Sequence, residues 1–144
     1  MSTSANTLSG DPASVRVPAF QKVSELTGRF LLATLFLISG LGKIGSYAAT
    51  AGYMSSVGIP SAVLPLVIVT EVAGAISIIV GWKTRIAAFL LAGFSLLTAL
   101  IFQMNFADQI QTIMFLKDVS IAGAFLLLMA NGAGPLSIDR RLAK

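Results

Sequence analysis

The sequence predicts an all-α integral membrane protein, a four-helix bundle with both termini in the cytoplasm. Three observations support this prediction. Hydrophobic residues make up 56% of the 144 residues and charged residues only 11%, whereas about 25% of a typical soluble domain is charged. The apolar residues gather into four stretches, each near the ~20 residues that a helix needs to cross a bilayer. Most of the Lys and Arg residues lie on one side of the predicted bundle, and this asymmetry sets the orientation of the chain in the membrane.

The first 25 residues are polar and are interrupted by Pro12 and Pro18. They lack an apolar core long enough for a signal peptide, and we interpret residues 1–25 as a disordered cytoplasmic tail. The first span follows at about residues 26–46. Residues 47–62 contain Gly, Ser, Pro and two Tyr, a composition typical of a loop at the membrane interface.

Three further spans complete a predicted membrane domain of residues 26–135, at about residues 63–81, 86–104 and 112–130. The second and third are joined by a tight turn with an aromatic residue and two cations. A short polar link joins the third to the fourth. Residues 136–144 then form a basic cytoplasmic tail.

The start of the fourth span follows from a length argument about Lys117 and Asp118. If the helix began after these two charges, about 12 apolar residues would remain, which is about 18 Å of helix. The hydrocarbon core is about 30 Å thick. Both charged side chains are therefore expected within the membrane or at its boundary.

Eight of the ten basic residues lie on one side of the predicted bundle, namely Arg16, Lys22, Arg29, Lys83, Arg85, Arg140, Arg141 and Lys144. The positive-inside tendency assigns that side to the cytoplasm. We expect a multi-pass protein of a bacterial inner membrane. The net charge of +4 does not indicate nucleic-acid binding, because the basic residues form no long run.

The chain has no Cys and no His. We therefore expect no disulfide, no haem, no Fe–S cluster and no zinc site. No nucleophile constellation, phosphate-binding loop or dinucleotide fingerprint is present either. Any electron chemistry is expected to belong to a partner or to a bound small molecule, and a self-contained enzyme is not predicted.

Four charged residues are expected inside the membrane at similar depths, Lys43, Glu71, Lys117 and Asp118. A charged side chain near the bilayer centre costs about 2.5–3.5 kcal/mol, so such residues face the bundle interior and pair. Pairing of Glu71 with Lys43 or Lys117 would form a polar site open to the periplasm. Its rim would hold Gln103, Asn105, Asp108, Gln109 and Gln111. Two alternatives stay open: a structural ion-pair network that fixes helix register, and a Lys43 side chain that simply reaches the interface.

Several segments, taken in order, resemble the DoxX family of small four-helix membrane proteins: SGLGKI at 39–44, TEVAGA at 70–75, WKTRIAA at 82–88, DQIQTIMFLKDVSIAG at 108–123 and GPLSIDRR at 134–141. The resemblance covers about residues 29–141. It implies a bacterial or archaeal inner-membrane protein, and some members are subunits of thiosulfate:quinone oxidoreductase or of other membrane redox complexes. By matching motif, the family's polar positions correspond to Lys43, Glu71, Asp108, Gln109, Gln111 and Lys117. Asp118 stands where an uncharged polar residue is expected.

Three functional hypotheses follow. In the first, the chain is a non-catalytic subunit of an oxidoreductase complex, and its pocket binds a quinone or a small anion. Lys43 and Lys117 would contact the ligand, with Glu71 as counter-ion or proton acceptor. The second is a small proton-coupled transporter, and the third is a membrane scaffold without a ligand. The expected partners are membrane lipid and a redox enzyme, and the sequence is compatible with a homo-oligomer.

Overall fold

The fold is described from a computed structural model, which covers residues 17–144. Within this range the chain is helical and contains no strand. The elements in order are α1 (Ala19–Gly45), α2 (Tyr47–Ser56), a short 3₁₀ turn (Ser61–Val63), α3 (Leu64–Val80), α4 (Thr84–Phe102), α5 (Gln109–Asn131) and α6 (Ile138–Leu142). Four helical segments of the described range are long and apolar enough to cross a membrane: α1, the 3₁₀ turn together with α3 (Ser61–Val80), α4 and α5. The predicted all-α membrane bundle is therefore confirmed.

The first helix begins seven residues earlier than the sequence indicated. Pro18 has φ −59° and precedes Ala19, the first residue of α1, and a fixed φ of this value favours a helix start. One turn later, Gln21 donates a 3.0 Å hydrogen bond to Glu25. The predicted disorder is therefore wrong for residues 19–25, and residues 1–16 of that tail lie outside the described range.

The predicted interface loop at 47–62 is also wrong over most of its length, because Tyr47–Ser56 forms α2. This segment contains three alanines, and alanine has the highest helix propensity of all residues. Ser46 (φ −118°, ψ 37°) separates α2 from α1, so the chain changes direction there. The helix ends before Gly58, whose φ is +81°.

The remaining boundaries differ from the expected ones in smaller ways. The fifth helix begins at Gln109 instead of residue 112, because the Asp108 carboxylate accepts a hydrogen bond from the Ile110 N–H and caps the helix. The tail predicted at 136–144 contains the short helix α6, which the Ser137 side chain caps in the same way. Side chains of this type satisfy the free N–H groups at a helix start.

The helices pack in the order α1, α3, α4, α5, each mainly against the next. Gly40 brings α1 close to α3, since a Cβ there would lie 2.7 Å from Val72 Cγ2. Small residues at an interface allow this kind of approach between membrane helices. The aromatic ring of Phe36 on α1 meets Phe125 on α5 and Phe94 on α4 edge-on, with centroid distances of 5.3 and 6.3 Å.

One end of the bundle, the terminal end, carries the start of α1, the α3–α4 link and residues 132–144. Arg29, which the sequence analysis counted among the flanking cations, is buried here and 2% exposed. Its guanidinium donates to the carbonyl oxygens of Ala133 (2.6 Å), Leu136 (2.9 Å) and Ile79 (3.3 Å). The side chain therefore ties α1 to α3 and to the segment after α5. The opposite end, with α2 and the α4–α5 link, is called the loop end below.

Candidate functional site

A cavity of about 500 Å³ lies among the membrane-spanning helices, in the half of the bundle towards the loop end. All four spans contribute to its walls, and α2 contributes Thr50, Tyr53 and Met54. The Tyr53 ring stacks on Phe102 of α4 at a centroid distance of 5.6 Å, and Met54 is buried. These two contacts hold α2 against the mouth of the cavity.

An ion pair between Lys43 and Glu71 forms one side of the cavity. The Lys43 ammonium lies 2.9 and 3.0 Å from the two carboxylate oxygens of Glu71 and 2.7 Å from the Ser39 hydroxyl oxygen. The Ser39 hydroxyl lies 3.2 Å from Glu71 Oε1. The Glu71 side chain is 4% exposed and that of Lys43 26%. Ser39 and Lys43 are four residues apart on α1 and share one face, and Gly40 between them lets that face approach α3.

A second polar contact lies between α4 and α5. The Gln103 side-chain amide donates a 2.9 Å hydrogen bond to Asp118 Oδ2. Both residues are half-buried and line the cavity. The carbonyl oxygen of the same amide is buried without a hydrogen-bond partner. Asp118 therefore binds an amide, and no cation lies within 4.0 Å of its carboxylate in the described structure.

The other residues expected at the site divide into two groups. Lys117 and Gln111 line the cavity, and the Lys117 ammonium lies 3.3 Å from the sulfur of Met114. Asp108 and Gln109 do not line it. Asp108 instead caps α5, and Gln109 is exposed in the first turn of that helix.

Two features of the site were not predicted from the sequence. The small hydroxyl residues Ser39, Ser95 and Thr98 line the cavity, but alone such residues are too common in membrane helices to indicate a site. The aromatic side chains of Phe36 and Phe94 form part of its wall. Among residues 17–144 no three His, Cys, Asp or Glu side chains come together as metal ligands.

The comparison with known proteins agrees with this architecture. The DoxX family model matches residues 24–104, the region from α1 to α4 that contains Lys43, Glu71 and Gln103. The chain is 46% identical over 124 residues to inner membrane protein YqjF of Escherichia coli (strain K12), covering 86% of this chain and 95% of that protein. It is 40% identical over 131 residues to inner membrane protein YphA of the same organism, covering 85% and 93%. No solved structure is significantly similar.

Both relatives carry the name inner membrane protein, and the described range contains four apolar helices of membrane-spanning length. The chain is therefore a multi-pass protein of the inner membrane. A family match over more than half of the chain, together with two relatives aligned over most of their length, establishes the family. This chain belongs to the DoxX family.

Proposed function

We propose that the cavity binds a quinone head group, and that the chain is the ligand-binding membrane subunit of an oxidoreductase assembly. The observation that carries this proposal is the cavity itself, about 500 Å³ in volume. Ligand pockets are typically about 300–1,000 Å³, mostly apolar, with a few polar groups that orient the ligand. The Phe36 and Phe94 rings offer flat apolar surface, and the Lys43–Glu71 and Gln103–Asp118 contacts offer polar groups.

The charge of the cavity favours a neutral ligand over a small anion. Lys43 and Lys117 are balanced by Glu71 and Asp118, all of which line the cavity. An ammonium group has three hydrogen-bond donors, and those of Lys43 are directed at Ser39 and at both oxygens of Glu71. An anion would have to disrupt this pair. The Lys117 ammonium is thus the cation available to a ligand carbonyl oxygen.

The packing order supports entry of the ligand from the bilayer. In the described structure α1 packs extensively on α3 and α5 on α4, but the backbones of α1 and α5 make no extensive contact with each other. Leu35 on α1 and Met114 on α5 line the cavity and are also exposed on the outer surface, by 45% and 40%. A hydrophobic quinone would reach the cavity between these two helices. The chain's own side chains would bind and orient the ring, and an associated oxidoreductase would exchange electrons with it.

The test is binding of ubiquinone-1 to the purified protein in a non-ionic detergent, measured by equilibrium dialysis. We expect saturable binding of one molecule per chain. Binding should be lost in Lys117→Met, which removes the cation available to the ligand, and in the double variant Lys43→Met/Glu71→Gln, which removes the polar pair from the cavity wall. Replacing both partners of a buried ion pair by neutral residues of similar size is often neutral for stability, so this variant is expected to fold.

The matched control is Thr34→Val/Thr70→Val, on the same two helices. Both threonine hydroxyls are exposed and donate only to carbonyl oxygens of their own helix. This control is expected to bind ubiquinone-1 as the unmodified chain does. Absence of saturable binding to the unmodified chain, or full binding by the folded Lys43→Met/Glu71→Gln variant, would contradict the proposal and favour a scaffold in which the ion pair only fixes helix register.

A further inference from the structure

A second cavity, of about 630 Å³, opens at the terminal end of the bundle. Three cationic side chains line it: Lys83 and Arg85 at the start of α4, and Arg140 on α6. All three are exposed. Throughout residues 17–144, no carboxylate lies within 4.0 Å of any of them. The cavity therefore brings together three cations that have no carboxylate partner among residues 17–144.

Two carboxylates also line this cavity, but both have other contacts. The two oxygens of Asp139 accept hydrogen bonds from the backbone N–H groups of Lys83 (2.7 Å) and Thr84 (2.9 Å). Glu25 accepts a hydrogen bond from Gln21 through one oxygen, and its other oxygen is buried without a hydrogen-bond partner. Neither of these carboxylates lies within 4.0 Å of a lining cation in the described range, so the cationic groups remain available to a ligand.

One of the three cations is held beside backbone. Arg85 lies against Gly132, since a Cβ added to Gly132 would lie 3.5 Å from the Arg85 Nε. Gly132 has φ +76°, a conformation that favours glycine. The chain after α5 therefore passes close to the guanidinium and forms part of the cavity wall.

The position of this cavity identifies the class of its ligand. It lies where α4 begins and α5 ends, at one boundary of the membrane-spanning helices. Trp82 beside it is 46% exposed, and the Lys83 ammonium lies 5.1 Å from the centre of its ring. Tryptophan is enriched at the level of lipid head groups, and basic pockets between membrane helices bind anionic head groups. We infer that this cavity binds the phosphodiester group of an anionic phospholipid.

The test is a titration of dioleoylphosphatidylglycerol into the purified protein in a non-ionic detergent, with the thermal unfolding temperature as the readout. Dioleoylphosphatidylcholine and soluble sn-glycerol 3-phosphate are titrated in parallel. We expect only the phosphatidylglycerol to raise the unfolding temperature. Equal protection by phosphatidylcholine would overturn the proposed recognition of an anionic head group, and protection by glycerol 3-phosphate would overturn the lipid as its source.

The variant Lys83→Gln/Arg85→Gln/Arg140→Gln removes the three lining cations. Each cation near a membrane surface contributes about a fivefold change in affinity, so the triple variant should need roughly a hundredfold more lipid for half-maximal protection. The control Lys22→Gln/Arg141→Gln/Lys144→Gln loses the same charge outside the cavity and should need less than about tenfold more.

Equal losses in the two triple variants would mean diffuse surface attraction and would overturn the proposed site. If the cavity variant does not fold, the single changes Arg85→Gln and Arg140→Gln replace it. Each is expected to raise the half-maximal lipid concentration about fivefold, and no shift in either would equally overturn the site.

Discussion

Removal of the Lys43 ammonium with Glu71 left in place should be the most damaging single change in the membrane-spanning region. In Lys43→Met the Glu71 carboxylate, 4% exposed, keeps only the Ser39 hydroxyl as a hydrogen-bond partner. Breaking a buried ion pair by removing one partner costs about 3–5 kcal/mol. At about 2–4 °C per kcal/mol for a chain of this size, the unfolding temperature should fall by about 10 °C.

The opposite change, Glu71→Gln, should be milder because the two partners differ in burial. Lys43 is 26% exposed and lies two residues before Gly45, the end of α1, so its long side chain can reach the interface. We expect a loss of about 1–2 kcal/mol. The double variant should come within about 1 kcal/mol of the unmodified chain, so the two single changes are strongly coupled.

The assay is thermal unfolding followed by circular dichroism at the helix minimum in a non-ionic detergent. Thr34→Val/Thr70→Val serves as the control, since it alters the same helices away from the pair. The reasoning would be refuted if Lys43→Met changed the unfolding temperature by less than about 2 °C. It would also be refuted if the double variant were as unstable as Lys43→Met alone.

Three further predictions concern helix contacts and the terminal end. Gly40→Ala should reduce the free energy of unfolding by about 1–3 kcal/mol and lower the unfolding temperature, because the added Cβ would lie 2.7 Å from Val72 Cγ2. In the control Gly42→Ala the added Cβ meets nothing within 4 Å, so the unfolding temperature should not fall. Equal responses of the two variants would contradict the close approach of α1 to α3. Arg29→Met should remove three hydrogen bonds to carbonyl oxygens and reduce the free energy of unfolding by about 3–5 kcal/mol. The segment after α5 should then be cleaved by trypsin, and unchanged resistance to trypsin would contradict the role of the guanidinium. Burial alone would raise the pKa of Asp139, but the backbone N–H groups at the start of α4 outweigh it and hold that pKa below its ordinary value. The contribution of the ionised Asp139 carboxylate to stability should therefore be complete above about pH 4 and be lost as the pH falls through the lowered pKa. Hydrogen exchange of the α6 segment, corrected for intrinsic rates, should show constant protection from about pH 8 to about pH 5 and a decline below about pH 4, with no such decline in Asp139→Asn.

The four spans were predictable because hydrophobicity over about 20 residues depends on the bilayer and not on tertiary contacts. The helix α2 was not predictable, because its segment has the Gly, Ser and Tyr content of a loop. It is held by Tyr53 and Met54, which contact the rest of the bundle. Such contacts form only after the spans have assembled, so composition cannot show them.

The site was predictable in part. Depth along the helices indicated either Lys43 or Lys117 as the partner of Glu71, and the observed contact is with Lys43. Depth alone did not indicate that Asp118 binds the Gln103 amide, because that contact depends on the rotation of α5 about its axis. Asp108 was expected at the rim, but an aspartate just before a helix is equally well explained as its cap.

The burial of Arg29 was not predicted from the sequence, for a general reason. A cation near the start of a first span fits the positive-inside tendency, and its actual partners are backbone carbonyl groups, which every residue possesses. No sequence pattern distinguishes the carbonyl oxygens of Ala133 and Leu136 from any others. Burial of a flanking cation by this kind of contact can be recognised only in the folded chain.

The same contacts constrain how the protein is made. Two of the three acceptors of Arg29 lie 104 and 107 residues later in the chain, so the ribosome produces them only after all four spans. While the later spans are being synthesised, the guanidinium must remain hydrated or bound to lipid phosphate, because an unpaired cation is costly inside the bilayer. The Arg29 contacts therefore cannot be completed until Ala133 and Leu136 have been synthesised, and a chain that stops before them leaves this guanidinium without two of its three acceptors.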